Sequence, residues 1–323
     1  MRSDARLLLV DKNVVERLLV PDDVIAAVRE AFALHSQRQG RVFPVVREKL
    51  STGGVFGIKS GDVGSQGLLG FKAAGFWPGN RSAGGEAHQA TILLFDPATG
   101  RPLCVIDGNA ITTARTAAAG AIGLSLLARE DSAVATVFGT GIQAQAQLEF
   151  ALRTRPGLKR VHYVSSDRAP RPEFEAGFAA RIELICAEDA NAAVSLSDLV
   201  ITATTGAGSL FDAGALRAGT HLNCVGADTR GKRELPAGVL DAAKVIADDL
   251  DQARELGELQ WLPQTPAAEI GDLLTGKTSL RRDPDDITVF DMTGLALQDL
   301  TVARLIHREA TEQGLGTAVT WPW

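Results

Sequence analysis

The sequence predicts an α/β protein: a doubly wound parallel sheet of the Rossmann type joined to an N-terminal α+β domain. Three observations carry that expectation. Residues 133–147, AVATVFGTGIQAQAQ, pass from an apolar, β-branched stretch through Gly-Thr-Gly into a run of good helix formers. Downstream, strand-like and helix-like segments alternate, as in a parallel sheet with crossover helices. Upstream, from 42 to 105, short strand-like segments follow one another with glycine-rich turns between them, as in an antiparallel sheet.

The turn at 139–144 has the chemistry of a dinucleotide site. Gly139 permits the tight bend, Gly141 lets the backbone approach a pyrophosphate, and Ala144 is small enough for the helix 142–153 to pack on the strand 134–138. The N–H groups and dipole at that helix start favour negative charge. Before it, residues 7–10 read as a strand and 13–19 as a short helix. Pro21-Asp22-Asp23 opens a second helix with an apolar face of Val24, Ala27, Val28, Ala31, Phe32 and Leu34, ending near Gly40. Strands are expected at 44–50, 55–59, 68–73, 91–96 and 102–106, with a hairpin turn at Asp96-Pro97-Ala98-Thr99-Gly100. The alanine-rich helix 111–128 has Thr112 or Thr113 available as its cap. After the strand 134–138, further strands are expected at 161–164, 182–186, 199–203, 220–225, 245–247 and 287–290. Helices are expected at 173–180, 191–196 and 297–313, the last placed to return to the first domain.

Composition narrows the function classes. The 323 residues suffice for two domains, 45% are hydrophobic and 22% charged, as in a globular protein in water. The formal net charge is −6 and Lys and Arg form no block, which speaks against a nucleic-acid partner. No apolar run approaches the roughly 20 residues needed to span a bilayer, so no membrane partner is expected. The N-terminal segment is too interrupted by charge for a signal peptide. Cys104, Cys186 and Cys224 are odd in number and far apart, which points to a reducing, cytoplasmic compartment. The five histidines are too dispersed to suggest a metal site.

Several segments in order resemble the ornithine cyclodeaminase/μ-crystallin family: LLGFKAAGFWPGN (68–80), TILLFDPATGRPL (91–103), ITTARTAAAGAIGLSLLA (111–128), VFGTGIQAQAQ, THLNCVGADTRGKREL (220–235) and ITVFDMTGLALQDL (287–300). The resemblance implies an NAD(P)-dependent protein acting on amino acids or imines. It also implies a homodimer, with an N-terminal substrate and dimerisation domain (1–112), completed by the C-terminal helix (300–323), and a Rossmann domain (113–299) between. Arg115, in Thr-Ala-Arg-Thr-Ala-Ala, looks like the family's substrate-carboxylate clamp. Independently, a guanidinium on an otherwise small, apolar helix needs an anionic partner once buried. Lys72, in Gly-Phe-Lys-Ala-Ala-Gly, matches a lysine that contacts the substrate carboxylate and moves protons. Arg47 matches a further carboxylate-binding arginine, and in a strand it faces opposite to Val46 and Glu48. Asp228 matches an acid/base residue of the cyclodeaminases, and it follows a strand at the carboxyl edge of the sheet, where such sheets bind ligands. Lys59 is an additional cation, and His88, just before the strand 91–96, is a candidate proton donor to the same pocket.

Cofactor contacts are expected from Gly139, Thr140, Gly141, Ile142 and Gln143 in the turn and from Ser165, Ser166, Asp167 and Arg168 after the second strand. Thr204 and Thr205 follow the fourth strand, Val225, Gly226 and Asp228 the fifth, and Thr293 and Gly294 the last; Thr113 and Arg115 join them from the alanine-rich helix. The serines at the end of the second strand, followed by Asp167 and Arg168, leave NAD and NADP both open. Where the cyclodeaminases carry a glutamate for the substrate's amino group, this sequence has Gly57. A diamine thereby loses its counter-charge, while Arg47, Lys59, Lys72 and Arg115 suit two carboxylates. The expected reaction is reduction of a small α-imino acid, iminosuccinate to aspartate first. A cyclodeaminase with tightly held NAD and a μ-crystallin-like NADPH-dependent binder are the alternatives.

Overall fold

The computed structural model describes residues 5–206, 208–280 and 282–322. In chain order it begins β1 (Arg6–Val10), α1 (Lys12–Leu18), α2 (Pro21–Ser36), β2 (Arg41–Val42), β3 (Val46–Lys49), β4 (Val55–Val63), β5 (Leu68–Phe76), β6 (His88–Phe95) and β7 (Pro102–Asp107). It continues with α3 (Gly108–Leu127), β8 (Val134–Phe138), α4 (Ile142–Thr154), β9 (Arg160–Val164), α5 (Pro172–Ala176), β10 (Glu183–Cys186), α6 (Ala190–Ser195), β11 (Leu199–Thr202) and β12 (His221–Cys224). The last elements are α7 (Val239–Ala242), β13 (Lys244–Ala247), α8 (Leu250–Leu256), β14 (Ala267–Glu269), α9 (Ile270–Thr275), β15 (Thr288–Asp291), α10 (Ala296–Glu312) and β16 (Thr317–Thr320). Two compact units result: Met1–Arg115 with Leu295–Trp323, and Thr116–Gly294. These joins lie a few residues from those read in the sequence, and they place Arg115 and Asp299 together in the first unit.

The first unit is one sheet in the order β16-β1-β7-β6-β5-β4-β2, with β3 also on β4. From β3 to β7 all pairs are antiparallel, whereas β1 runs parallel to β7, so the sheet is mixed. β4 and β5 run longer than their sequences suggest, because nine consecutive pairs, from Val55↔Phe76 to Val63↔Leu68, carry the ladder through glycines of low strand propensity. Those glycines are where α10 lies down. A Cβ on Gly70 would fall 2.8 Å from Leu300 Cδ2, and one on Gly61 3.4 Å from Leu297 Cδ2. The residues facing α10 change along a single row across the sheet. Val10, Ile106 and Ile92 are buried apolar groups, and the next two positions in register are Lys72 and Lys59. The opposite face carries Leu9, Val105, Leu93 and Phe71 in register, with Phe71 stacked on Phe95.

In the second unit the sheet order is β10-β9-β8-β11-β12-β15-β13-β14 and every pair is parallel. This is the doubly wound sheet, with its switch point between β8 and β11. Both faces are buried: Val137, Leu199 and Ile201 pack on one side with Leu148 and Tyr163, while Phe138 and Val200 pack on the other with Leu222 and Val289.

Local readings are corrected at four elements. α3 begins at Gly108, and its cap is Asp107, whose Oδ1 accepts the Ala110 N–H, rather than Thr112 or Thr113. This helix is, against the sequence reading, long and apolar enough to cross a bilayer, but most of it is buried in the protein, so its apolarity is used in packing. The helix expected at 173–180 is only Pro172–Ala176, stopping at Gly177. β14 and β16 are short strands that the sequence pattern does not single out; their ladders come from partners distant in the chain.

Candidate active site

In the first unit three charged side chains from three elements meet out of water. Lys72 on β5, Arg115 on α3 and Asp299 on α10 are 4%, 7% and 0% exposed. Asp299 serves both cations: Lys72 Nζ lies 2.8 Å from its Oδ2, and Arg115 Nε donates to its Oδ1 at 2.9 Å. Lys72 also donates to Thr112 Oγ1 at 3.2 Å. Burial lowers Lys72 to about 7; Asp299 opposes that fall, and the nearby positive charges of Arg115 and Lys59 add to it. Burial would raise Asp299, but Arg115 and Lys72 overcome it and hold the carboxyl below its ordinary value. Lys59, opposite Lys72 in the β4–β5 ladder, acts on both groups and is itself half-buried. Lys72 and Arg115 therefore share one carboxylate, Asp299, among the described residues.

Arg115 is fixed edge-on. Its Nη1 donates to Gln298 Oε1 at 3.1 Å, the same oxygen that accepts the Leu295 N–H, so Asp299 and Gln298 grip one side of the guanidinium. The fully buried Gln298 amide nitrogen finds no partner among the described residues, and flipping the amide would forfeit both bonds to its oxygen. Among the described residues the bonds of Arg115 run through Nε and Nη1, on the side of Asp299 and Gln298.

His88 opens β6 rather than preceding it, and its Nδ1 lies 3.1 Å from Asn109 Oδ1. Asn109 Nδ2 donates to Glu86 Oε2 and to the His88 carbonyl, which fixes Oδ1 as an acceptor and makes His88 Nδ1 the donor. Burial, followed by the positive charge of Lys72, lowers His88. The neutral ring then offers a lone pair at Nε2, not the proton expected from the sequence. Arg47 pairs with Gly57 in register, on the same sheet face as Lys59 and Lys72, but stands exposed on β3, outside the buried cluster. A Cβ at Gly57 would fall 2.8 Å from the Val46 carbonyl oxygen, so the position is tight against β3.

In the second unit the expected cofactor residues gather at the carboxyl ends of β8, β9, β11, β12 and β15. Gly139 has φ 101°, and a Cβ there would fall 2.6 Å from the Ala203 carbonyl oxygen. Gly141 has open space where a Cβ would sit and starts α4 with no side chain capping its N–H groups; Ile142 beside it is exposed and Ala144 buried. Thr140 and Gln143 flank this cradle, and Gln145 Nε2 donates to the Thr140 carbonyl. The residues present thus fit a dinucleotide pyrophosphate. After β9, Asp167 is occupied locally: Oδ1 accepts from the Ala169 N–H, Ser165 Oγ and Arg171 Nη2. Arg168 takes the left-handed φ of 60°, and Ser166 is exposed. Thr204 donates through its N–H and its hydroxyl to Glu234, and Thr205 beside it is exposed. Val225 and Gly226 follow β12 with N–H groups on the Thr202 carbonyl. Asp228 pairs with Lys232 at 2.9 Å and accepts from Thr229 Oγ1. Asp248 accepts from Thr293 Oγ1 and the Gly294 N–H, and Gln252 holds the same two residues. Thr113 bonds back to the Asn109 carbonyl, an ordinary helical contact.

The sequence matches the ornithine cyclodeaminase/mu-crystallin family over residues 5–314. The chain belongs to that family. It is 31% identical to the iminosuccinate reductase of Paracoccus denitrificans over 97% of this chain and 99% of that protein. The structure of that reductase with NAD+ matches with a TM-score of 0.88 over 98% and 100% of the two chains. The alanine dehydrogenase of Archaeoglobus fulgidus is 32% identical, covering 97% and 98%. An archaeal alanine dehydrogenase dimer with bound NAD matches with a TM-score of 0.92 at 31% identity over 98% and 100%. The Thermococcus litoralis Δ1-pyrroline-2-carboxylate reductase, solved with NADH and L-proline, matches at 0.88 and 29% identity over 97% and 100%.

Within this cyclodeaminase/mu-crystallin architecture, the sequence reading found the cations and missed their counter-ion. Asp299 and Gln298 sit in Ala-Leu-Gln-Asp-Leu, where an acid between leucines in a first helical turn was the available signal. Thr112 and Asn109 were missed as partners of Lys72 and His88, and Lys232 and Glu234 as partners of Asp228 and Thr204.

Proposed function

We propose that the chain reduces a small α-imino acid to the L-amino acid with NAD(P)H, iminosuccinate to L-aspartate being the leading substrate. It is an NAD(P)-dependent oxidoreductase acting on CH–NH or CH–NH2 groups, as its full-length relatives are. The observation that carries the substrate class is the buried Lys72–Asp299–Arg115 assembly, in which two cations share one carboxylate, with Lys59 beside it in register. A bound nicotinamide supplies the hydride that the imine carbon accepts. Arg115 Nη2 holds the α-carboxylate, and Lys59, with Arg47 on the same sheet face, takes the second carboxylate. Lys72 moves the proton on nitrogen, since burial brings its ammonium near neutrality. Asp228, held by Lys232, stands as a second acid/base candidate. Fixing the substrate by its carboxylates contributes orientation, up to about 7–11 kcal/mol in favourable cases. NAD(H) is supported by the cofactors seen in the related structures, and the absence of an acid at Ser165 keeps NADP(H) in the reading.

The apolar row Leu9–Val105–Leu93–Phe71, on the face away from α10, suits a second copy of the chain and supports a homodimer. One assay tests the reaction class. Purified protein is supplied with NADH or NADPH and, in turn, oxaloacetate plus ammonia, pyruvate plus ammonia, a cyclic imine, or ornithine alone. Nicotinamide oxidation with oxaloacetate plus ammonia is expected. Absence of oxidation with every imine overturns the reductase reading, and ammonia release from ornithine replaces it with the cyclodeaminase.

A further inference from the structure

Glu234 is fully buried in the second unit, and among the described residues no cation pairs with it. Its carboxylate instead joins two loops at the carboxyl edge of the sheet. Oε1 accepts the Thr204 N–H at 2.8 Å and the Thr204 hydroxyl at 2.7 Å, after β11; Oε2 accepts the Gly226 N–H at 2.9 Å, after β12. Its main-chain carbonyl accepts the Leu210 N–H at 3.0 Å, so the loop that leaves β11 is tied to Glu234 at both ends. Gly226 is required for this approach, since a Cβ there would fall 2.5 Å from the Glu234 carboxyl carbon. Glu234 is held in turn by a second buried acid. Glu258 Oε1 accepts the N–H groups of Glu234 at 2.7 Å and Leu235 at 3.2 Å. Behind it, Asp291 Oδ2 accepts the Leu259 N–H at 2.9 Å.

We propose that Glu234 is a positioning residue that sets the β11 and β12 loops for the nicotinamide end of the cofactor, and that Glu258 fixes Glu234. This rests on the reading of Thr204, Thr205 and Gly226 as cofactor-side residues. Three donors on opposite sides of one group require acceptors on both oxygens, which a carboxylate supplies and an amide does not. Glu258 carries a pH readout. Burial raises it to about 7; the N–H bonds from Glu234 and Leu235 oppose that rise most, the smaller effect of the Glu234 charge adds to it and Arg233 opposes it. The other ionisable groups against it are Asp291 at the end of β15 and the Cys224 thiol at the end of β12, both raised chiefly by burial. As pH rises through about 7, Glu258 gains charge, and its bonds from the Glu234 and Leu235 N–H groups strengthen by more than the neighbouring Glu234 carboxylate opposes, so the link to the loops tightens.

The test is cofactor binding without turnover, measured as the Kd for NADH and NADPH by fluorescence titration from pH 6 to 8.5. Wild type is expected to bind, with affinity rising several-fold as pH rises through about 7. Glu234→Gln, which turns an N–H2 group toward Gly226, is expected to weaken binding about tenfold or more. Glu258→Gln keeps an acceptor oxygen for both N–H groups and is expected to bind like wild type at pH 6 with a flat profile above it. It is also the variant that decides should Glu234→Gln not fold. Unchanged affinity in folded Glu234→Gln, or a Glu258→Gln profile that follows wild type, overturns the inference. Failure of the wild-type protein to bind either nucleotide overturns the cofactor reading as well.

Discussion

Each unit buries carboxyl groups, and the two bury them in opposite ways. In the first unit Asp299 alone is paired with two cations, Lys72 and Arg115, so among the described residues this buried cluster carries one more positive than negative group. In the second, Glu234 and Glu258 accept backbone N–H groups and the Thr204 hydroxyl, with no cation paired to either among the described residues, and Asp291 accepts the Leu259 N–H through one oxygen. A cluster with surplus charge suits completion from outside, in the proposed function by an anionic substrate. A cluster whose hydrogen bonds close on the chain's own loops holds shape. Cost follows the same division, because leaving one member of a buried ion pair unpartnered is worth about 3–5 kcal/mol, whereas one hydrogen bond to a charged group is worth about 1.5–3.

The largest effect is expected at Arg115. Arg115→Ala removes the guanidinium that faces the substrate, and kcat/KM for the imino acid falls about 10²–10⁴-fold, the equivalent of about 3–5 kcal/mol. Cofactor Kd, measured in parallel, stays within about threefold if Arg115 belongs to the substrate cluster alone. A matching loss in cofactor binding would erase the contrast between the units. Next comes Asp299→Asn, read as a pH profile. In wild type, kcat/KM for reduction is flat below about 7 and falls above it, as Lys72 loses the proton it donates and its charge. Asp299 raises Lys72 against burial, so its neutral replacement moves that falling limb to lower pH. A limb that stays in place removes Lys72 from the titration. A smaller change is expected from Phe71→Glu on the open sheet face. If the proposed homodimer forms through this face, the variant sediments as a monomer while the Lys72 cluster, on the other face, stays chemically intact.

The parallel sheet and its glycine turn were legible because the information is local: an apolar run ends at Gly139 and a helix restarts at Ile142. The cations were legible through resemblance and through their placement on apolar elements. Asp299 was not, since it lies 184 residues from Arg115 and an acid in a first helical turn has an ordinary explanation in the helix dipole. Glu234 was hidden for a related reason. It ends Asp-Thr-Arg-Gly-Lys-Arg-Glu, a charge-rich run that reads as a solvated loop, and only the packing of that loop makes it fully buried. His88 shows the limit of residue type as a guide, because the hydrogen-bond orientation of Asn109, not the imidazole alone, decides which nitrogen carries the proton.

The central claim is that surplus positive charge in the first unit selects a dicarboxylic imino acid. The most direct measurement is the ratio of kcat/KM for oxaloacetate plus ammonia to that for pyruvate plus ammonia, in wild type and in Lys59→Met. Wild type is expected to favour the dicarboxylate, and Lys59→Met to reduce the ratio about tenfold or more while pyruvate turnover changes little. An equal ratio in the two proteins, or a wild-type preference for pyruvate, would contradict it.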